Sequence, residues 1–353
     1  VIFSIFCLFS TAESHVSFTK SEIIEGQDVV NSRSMNIRCS KGCIVYTPSD
    51  RNDILITKND GRVDQNVTSL SDILKMSTLP YLSGYTLPAD STYKVKNIGF
   101  EASPNFIIYV VEKDAEHYGD LIVLADSSNQ QFSTTQGKLT IMTSGNGIRL
   151  QNFNLKDEIK PKVYATGYDA VYENCWPIYS ANSNNQAEQS QIDIHGPIAT
   201  IDYETMTSCS VMISGNVLNP SSENSNSFAL SSPGYVGCKL NSNDLYWSTE
   251  QFIDNTFTND MNGNINIHFR LDENLPNYNE PLSVTGLTQD TLEFRGVEQW
   301  TGKDYSVNKV NVRMQFNRNS LYSSFAYQLD ASKNSTTRLS LIFIILVAIY
   351  FLF

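Results

Sequence analysis

Short stretches in which every second residue is apolar recur along this chain, separated by clusters of Gly, Asn, Asp and Ser. In residues 265–271, Ile265, Ile267, Phe269 and Leu271 alternate with Asn266, His268 and Arg270, and residues 138–143, 148–153 and 307–316 repeat the pattern. Successive side chains of a strand point to opposite faces, so such a segment buries one face and wets the other. Two apolar runs, 106–111 and 121–124, add further strands on either side of the polar stretch 112–120. Helical spacing is scarce: only residues 70–76 and 248–253 suggest short helices. Many short strands with frequent turn clusters predict an all-β chain of antiparallel sandwiches. Ser144-Gly145-Asn146-Gly147 and Met261-Asn262-Gly263-Asn264 have the chemistry of hairpin turns.

Composition shifts at Asp157-Glu158-Ile159-Lys160-Pro161-Lys162, which breaks the alternation. A boundary there divides the chain into a first β-domain over 20–155 and a second β-rich domain over 162–328. The polar stretches 180–190 and 219–227 read as surface loops of the second domain, and no internal repeat is evident in the sequence.

Both ends read as processing signals. Residues 339–353 are almost wholly apolar and are preceded by the polar spacer 333–338 and by Asp330-Ala331-Ser332. A spanning helix needs about 20 apolar residues and is usually followed by cytoplasmic Lys or Arg. Small triplet, spacer and apolar tail together predict replacement of 331–353 by a glycosylphosphatidylinositol lipid, attached at Asp330 or alternatively at Asn334. The competing reading is a single-pass membrane protein. Residues 1–9 are apolar and Ser10-Thr11-Ala12 are small, which predicts a signal peptide over 1–12, already begun at the first residue and cleaved after Ala12. The expected location is the extracellular face of the plasma membrane.

The formal charge of −12 argues against a nucleic-acid partner, which would need a basic face. Of the six cysteines, Cys7 leaves with the signal peptide, and Cys39, Cys43, Cys175, Cys209 and Cys238 are the disulfide candidates. Cys39 and Cys43 enclose a tight loop containing Gly42, suited to a local bridge. One of the other three is left over, either buried or bonded to another chain as a disulfide-linked dimer. Asn66-Val67-Thr68 and Asn334-Ser335-Thr336 are N-glycosylation sequons, at Asn66 and Asn334.

The chain carries no GxSxG elbow, no HExxH and no P-loop, so no catalytic residue is assigned. Gly145-Asn146-Gly147 lacks the third glycine of a dinucleotide loop, and an EF-hand register through 258–269 would end on Phe269 instead of Glu. The histidines are dispersed. Asp193, His195 and Asp202 are near one another in sequence, but polar turn residues explain them better than a triad does. Trp176, Trp247 and Trp300 read as core in a β-sandwich before they read as a ligand surface.

Tyr85-Thr-Leu-Pro-Ala-Asp-Ser-Thr-Tyr-Lys94, the strand 106–111, Tyr118-Gly119-Asp120-Leu121-Ile122-Val123 and the segment 139–153, in this order after a signal peptide, resemble the nematode CUB-like domain. The resemblance covers about 20–155. It implies a jelly-roll-like antiparallel β-sandwich on secreted or surface proteins, with members linked to innate immune and stress responses. It also implies that calcium, where bound, is held by carboxylates, here Glu112, Asp120 and Asp126; no motif calls for any other cofactor. The expected function is extracellular recognition of a protein or glycan ligand by a lipid-anchored, glycosylated surface protein. The alternatives are a secreted hydrolase with its site assembled in the second half, and a structural surface-coat protein.

Overall fold

The computed structural model describes residues 21–26, 29, 34–59, 64–99, 106–113, 121–135, 137–155, 159–165, 167, 177–181, 190–203, 209–217, 221–222 and 227–231. Beyond these it describes the strands 252–258, 264–271, 282–285, 292–294, 303–305, 309–315 and 325–332, with Gln328 as the one side chain among them. Its described elements are overwhelmingly strands in five sheets, so the chain is all-β as its alternation predicts.

The first eight strands are β1 (Ser21–Glu25), β2 (Ser34–Cys39), β3 (Cys43–Tyr46), β4 (Ile54–Asn59), β5 (Asp64–Ser69), β6 (Tyr85–Leu87), β7 (Ser91–Asn97) and β8 (Ile107–Glu112). They form two four-stranded sheets, ordered β1-β8-β3-β6 and β2-β7-β4-β5. The first strand pairs with the eighth, the second with the seventh, the third with the sixth and the fourth with the fifth, all antiparallel. A long two-stranded ribbon folded back on itself in this way is a jelly roll. Val45, Ile108 and Val110 of one sheet meet Ile37, Ile56 and Val95 of the other in its core. The helix Leu70–Lys75, expected over 70–76, seals one edge by burying Leu70 and Ile73. Its start is a reciprocal cap: the Ser69 hydroxyl accepts from the Asp72 amide (3.1 Å) and donates to the Asp72 carboxylate (2.7 Å).

The next strands are β9 (Ile122–Ala125), β10 (Gln130–Thr134), β11 (Lys138–Thr143), β12 (Ile148–Asn154), β13 (Lys162–Tyr164), β14 (Tyr179–Ser180), β15 (Ser190–Ile194), β16 (Ile198–Asp202) and β17 (Cys209–Ser214). Their pairings repeat the same rule: β10 with β17, β11 with β16, β12 with β15 and β13 with β14. This is a second jelly roll, with β9 added in parallel alongside β11. The remaining strands are β18 (Ser221–Ser222), β19 (Ser227–Ser231), β20 (Phe252–Thr258), β21 (Asn264–Leu271), β22 (Leu282–Thr285), β23 (Leu292–Phe294), β24 (Lys303–Tyr305), β25 (Lys309–Gln315) and β26 (Phe325–Ser332). Here β19 pairs with β26, β20 with β25, β21 with β24 and β22 with β23, and β18 runs parallel to β20 as β9 does to β11. The pairing scheme therefore occurs three times in succession, a repeat of topology that residue-by-residue comparison misses.

Four expectations change. The boundary expected at 156–162 falls between β12 and β13, which belong to the same roll, so the strands within 122–154 leave the first unit and join the second. The segment 138–154 is not a hairpin: β11 and β12 lie in opposite sheets and point Leu139, Ile141, Ile148 and Leu150 into one core between them. Hairpin and arch share the same alternation, since both bury one face of each strand, and only the rotation at the turn differs. Here the arch is locked by Thr143, whose hydroxyl donates toward the carbonyls of Ala125 (3.0 Å) and Gly215 (3.1 Å) and accepts from the Gly145 amide (3.0 Å). A side chain at Gly145 would collide with the Gly215 carbonyl. The strands β20 and β21 flank the second expected hairpin turn and likewise lie in different sheets. Of the helix expected over 248–253, Phe252 and Ile253 instead begin β20, and 248–251 lie outside the described residues.

The first and second rolls are stacked. Tyr46, Ile107, Tyr109 and Val111 on the outer face of the first roll form one buried cluster with Ile122, Met142 and Ile198 on the outer face of the second. The chain adds a backbone tie: the Leu82 amide donates to the Ile122 carbonyl (2.9 Å) and the Leu124 amide to the Pro80 carbonyl (2.7 Å). The second and third rolls join differently, edge to edge, through the parallel pairing of β15 and β19 in one eight-stranded sheet.

Candidate functional site

Among the described residues, a network of polar side chains lies on the outer face of the eight-stranded sheet, opposite the core. Alternation along β12 and β15 sends Ile148, Leu150, Ile192 and Ile194 inward, and register sets Arg149 opposite Asp193 and Gln151 opposite Gln191. The Arg149 guanidinium donates through Nε to Asp193 Oδ1 (2.7 Å) and through Nη2 to Oδ2 (2.9 Å), a two-pronged pairing. The Gln191 amide donates to the same Oδ2 (3.1 Å), and the Gln151 amide donates to Gln191 Oε1 (2.9 Å). Asp193 is 0% exposed and His195, next on the same face, 6%.

Burial dominates the electrostatics. It pushes the Asp193 carboxyl above its ordinary range, while the Arg149 fork and the Gln191 amide pull against it. Burial, with the nearby Arg149 charge, lowers His195 to about 4, so the imidazole is neutral at physiological pH. Its Nε2 is buried with no hydrogen-bond partner among the described residues.

This arrangement does not assemble the three residues that cluster in sequence. Asp193 and His195 sit at β15, whereas Asp202 ends β16 in the opposite sheet, reached through the Gly196-Pro197 turn. There Asp202 lies in register between Lys138 of β11 and Lys162 of β13, a cross-strand charge match. With both oxygens of Asp193 taken by Arg149, the strip is a closed ion-pair network. Sequence reading missed Arg149 and Gln191 altogether. Their only signal is polar residues at alternate positions, which ordinarily marks a wet face.

Two of the three calcium candidates, Glu112 and Asp126, lie on different units. Glu112 ends β8 in the first roll and accepts from the Ser40 hydroxyl (3.1 Å), beside the Cys39–Cys43 arch. Asp126 follows β9 in the second roll and accepts from the Ser128 amide (2.7 Å) and the Gln130 side chain (2.6 Å). Asp120 lies outside the described residues. Among the described residues, no group of three or more His, Cys, Asp or Glu side chains is gathered as a metal site would require.

Cys39 and Cys43 form a disulfide with Cα atoms 5.5 Å apart, closing the arch between β2 and β3. Gly42 supplies the turn at φ +90, a conformation other residues rarely adopt. Cys209 is buried at the start of β17, and Cys175 and Cys238 lie outside the described residues. Asn66 is exposed on the edge strand β5. Asp330 lies within β26, in register with Ser227 on one side and Asn266 on the other, and Asn334 lies outside the described residues. Trp176, Trp247 and Trp300 also lie outside them, as do residues 1–20 and 333–353. Among the described residues, no helix is long and apolar enough to cross a membrane.

No family model matches the chain, and no curated relative does. Among solved structures, it is similar to the CUB1-EGF-CUB2 domains of rat MASP-1, at 8% sequence identity over 60% of this chain and 100% of that one, with a TM-score of 0.24. A likeness that loose adds nothing to the strand pairings, and it is those pairings that make this chain a series of β-jelly rolls.

Proposed function

We propose that this chain is an extracellular recognition protein, displayed at the cell surface on a lipid anchor and acting through binding, without catalysis. The observation that carries the reading is the Cys39–Cys43 bridge on the first roll, because disulfides persist in oxidising compartments outside the cytosol. The exposed sequon at Asn66 supports the same compartment, and rigid sandwiches that project loops are common scaffolds for recognition. The narrower assignment, a nematode CUB-like protein serving innate immunity or stress with a protein or glycan ligand, is supported by the order of sequence motifs within 20–155. Calcium at Glu112, Asp120 and Asp126 and a disulfide-linked dimer belong to that same proposal.

Expression of the full chain in animal cells, followed by a phosphatidylinositol-specific phospholipase, tests the anchor: release from the surface is expected, and retention would point to a spanning helix. Mass analysis of the released chain locates the attachment residue. Attachment at Asp330 removes Ala331 and Ser332, which pair with Ile265 and Asn264, whereas attachment at Asn334 leaves β26 whole.

A further inference from the structure

Among the described residues, four large apolar side chains are exposed, and three of them fall within six consecutive positions: Met76 at 52%, Leu79 at 56% and Tyr81 at 44%. They lie on the connection between the helix Leu70–Lys75 and β6. The exposure is built in, because the connection is held on both sides. The Ser77 amide donates to the Leu74 carbonyl (3.0 Å) and the Tyr81 amide to the Thr78 carbonyl (3.0 Å). The Ser83 amide donates to the Ser77 hydroxyl (3.0 Å). Leu74 and Leu82, from the same segment, turn inward to the cluster between the first two rolls, which leaves Met76, Leu79 and Tyr81 outside.

Charge indicates what covers them. In a chain of net charge −12, residues 73–89 carry a single charged side chain, Lys75, and no acid. A second copy docked on the same patch would bring in a second Lys75, with no carboxylate in residues 73–89 of either copy to pair with it. A phospholipid bilayer suits each part: an apolar interior for Met76 and Leu79, the headgroup boundary for amphipathic Tyr81, and phosphate oxygens for Lys75. We infer that this connection is a membrane-contacting tip that inserts Met76, Leu79 and Tyr81 shallowly into a zwitterionic phospholipid surface. The inference rests on the geometry of the tip and is independent of the lipid anchor.

The test places an environment-sensitive dye on the full chain carrying Leu79→Cys, with the same dye on Ser133→Cys in the second roll as control. Labelling of the unsubstituted chain sets the background. With phosphatidylcholine vesicles, a blue shift and brightening at position 79 but not at 133 is expected, and Met76→Ser with Tyr81→Ser should remove most of it. An unshifted dye at 79 on a chain that floats with the vesicles would mean that another segment holds it, and would overturn the inference. A shift at 79 without vesicles that grows with protein concentration would make the occupant a second copy, and would overturn it equally.

Discussion

The first and second rolls have the same topology, yet the sheets built from their first, third, sixth and eighth strands carry opposite outer faces. In the first roll that face is apolar: Tyr46, Ile107, Tyr109 and Val111 bury themselves against the second roll. In the second roll the corresponding face holds Arg149, Gln151, Gln191, Asp193 and His195, and Asp193 and His195 are no less buried. Burial is therefore compatible with either chemistry, but the stability logic differs. An apolar face gains from every group removed from water. A polar one is sustainable only while each charge keeps its partner, and breaking one leaves the other stranded.

The largest effect expected from this contrast is at Arg149. Arg149→Met strands Asp193 and should cost about 3–5 kcal/mol in denaturant unfolding. Adding Asp193→Leu should recover most of that loss. A double variant no more stable than the single would mean that the strip's contribution lies outside the ion pair.

Next in size is a pH dependence set by His195 in the second roll. Because His195 is lowered to about 4 from an ordinary 6.5, the folded state binds fewer protons than the unfolded state between those values. Stability should rise with pH across that window and fall by ~3 kcal/mol as pH drops through it. His195→Leu should flatten the profile there. The raised Asp193 carboxyl acts with the opposite sign, its contribution falling as pH rises past the ordinary carboxylate value, and it should remain in the variant.

Smallest is the arch between the second and third strands of each roll. The first roll staples it with Cys39–Cys43, while the second relies on Thr143 and the close approach of Gly145 and Gly215. Replacing both cysteines by serine should cost only about 2 kcal/mol, because the closed loop is short. The measurement is the shift in unfolding midpoint with and without reductant. A midpoint that drops on reduction in the serine variant as well would trace the sensitivity to another cysteine.

Much of the strand content was legible in the sequence. Alternation at 138–143, 148–153 and 265–271 and the apolar run at 106–111 all correspond to strands, because period-two burial is written locally. The short helix at 70–75 was legible from its helical spacing, whereas its Ser69–Asp72 cap emerges only in the structure. Partners were not legible. Ser21 finds Val111 and Glu25 finds Ile107, far away along the chain, and no local pattern encodes that choice. The polar strip stayed hidden because Arg149 and Asp193 become neighbours only once register is set, and before that each reads as a residue for solvent.

By itself, then, the sequence determined that 106–111, 121–124, 138–143, 148–153, 265–271 and 309–315 are extended, and that Cys39 and Cys43 can close on each other across Gly42. Tertiary structure alone decided that the expected hairpin turns are arches between sheets, that one pairing scheme is used three times, and that the boundary lies before residue 122. The physical reason is the same in each case. Alternation states that one face of a strand is to be covered, whereas the covering partner is selected by packing among all the strands at once.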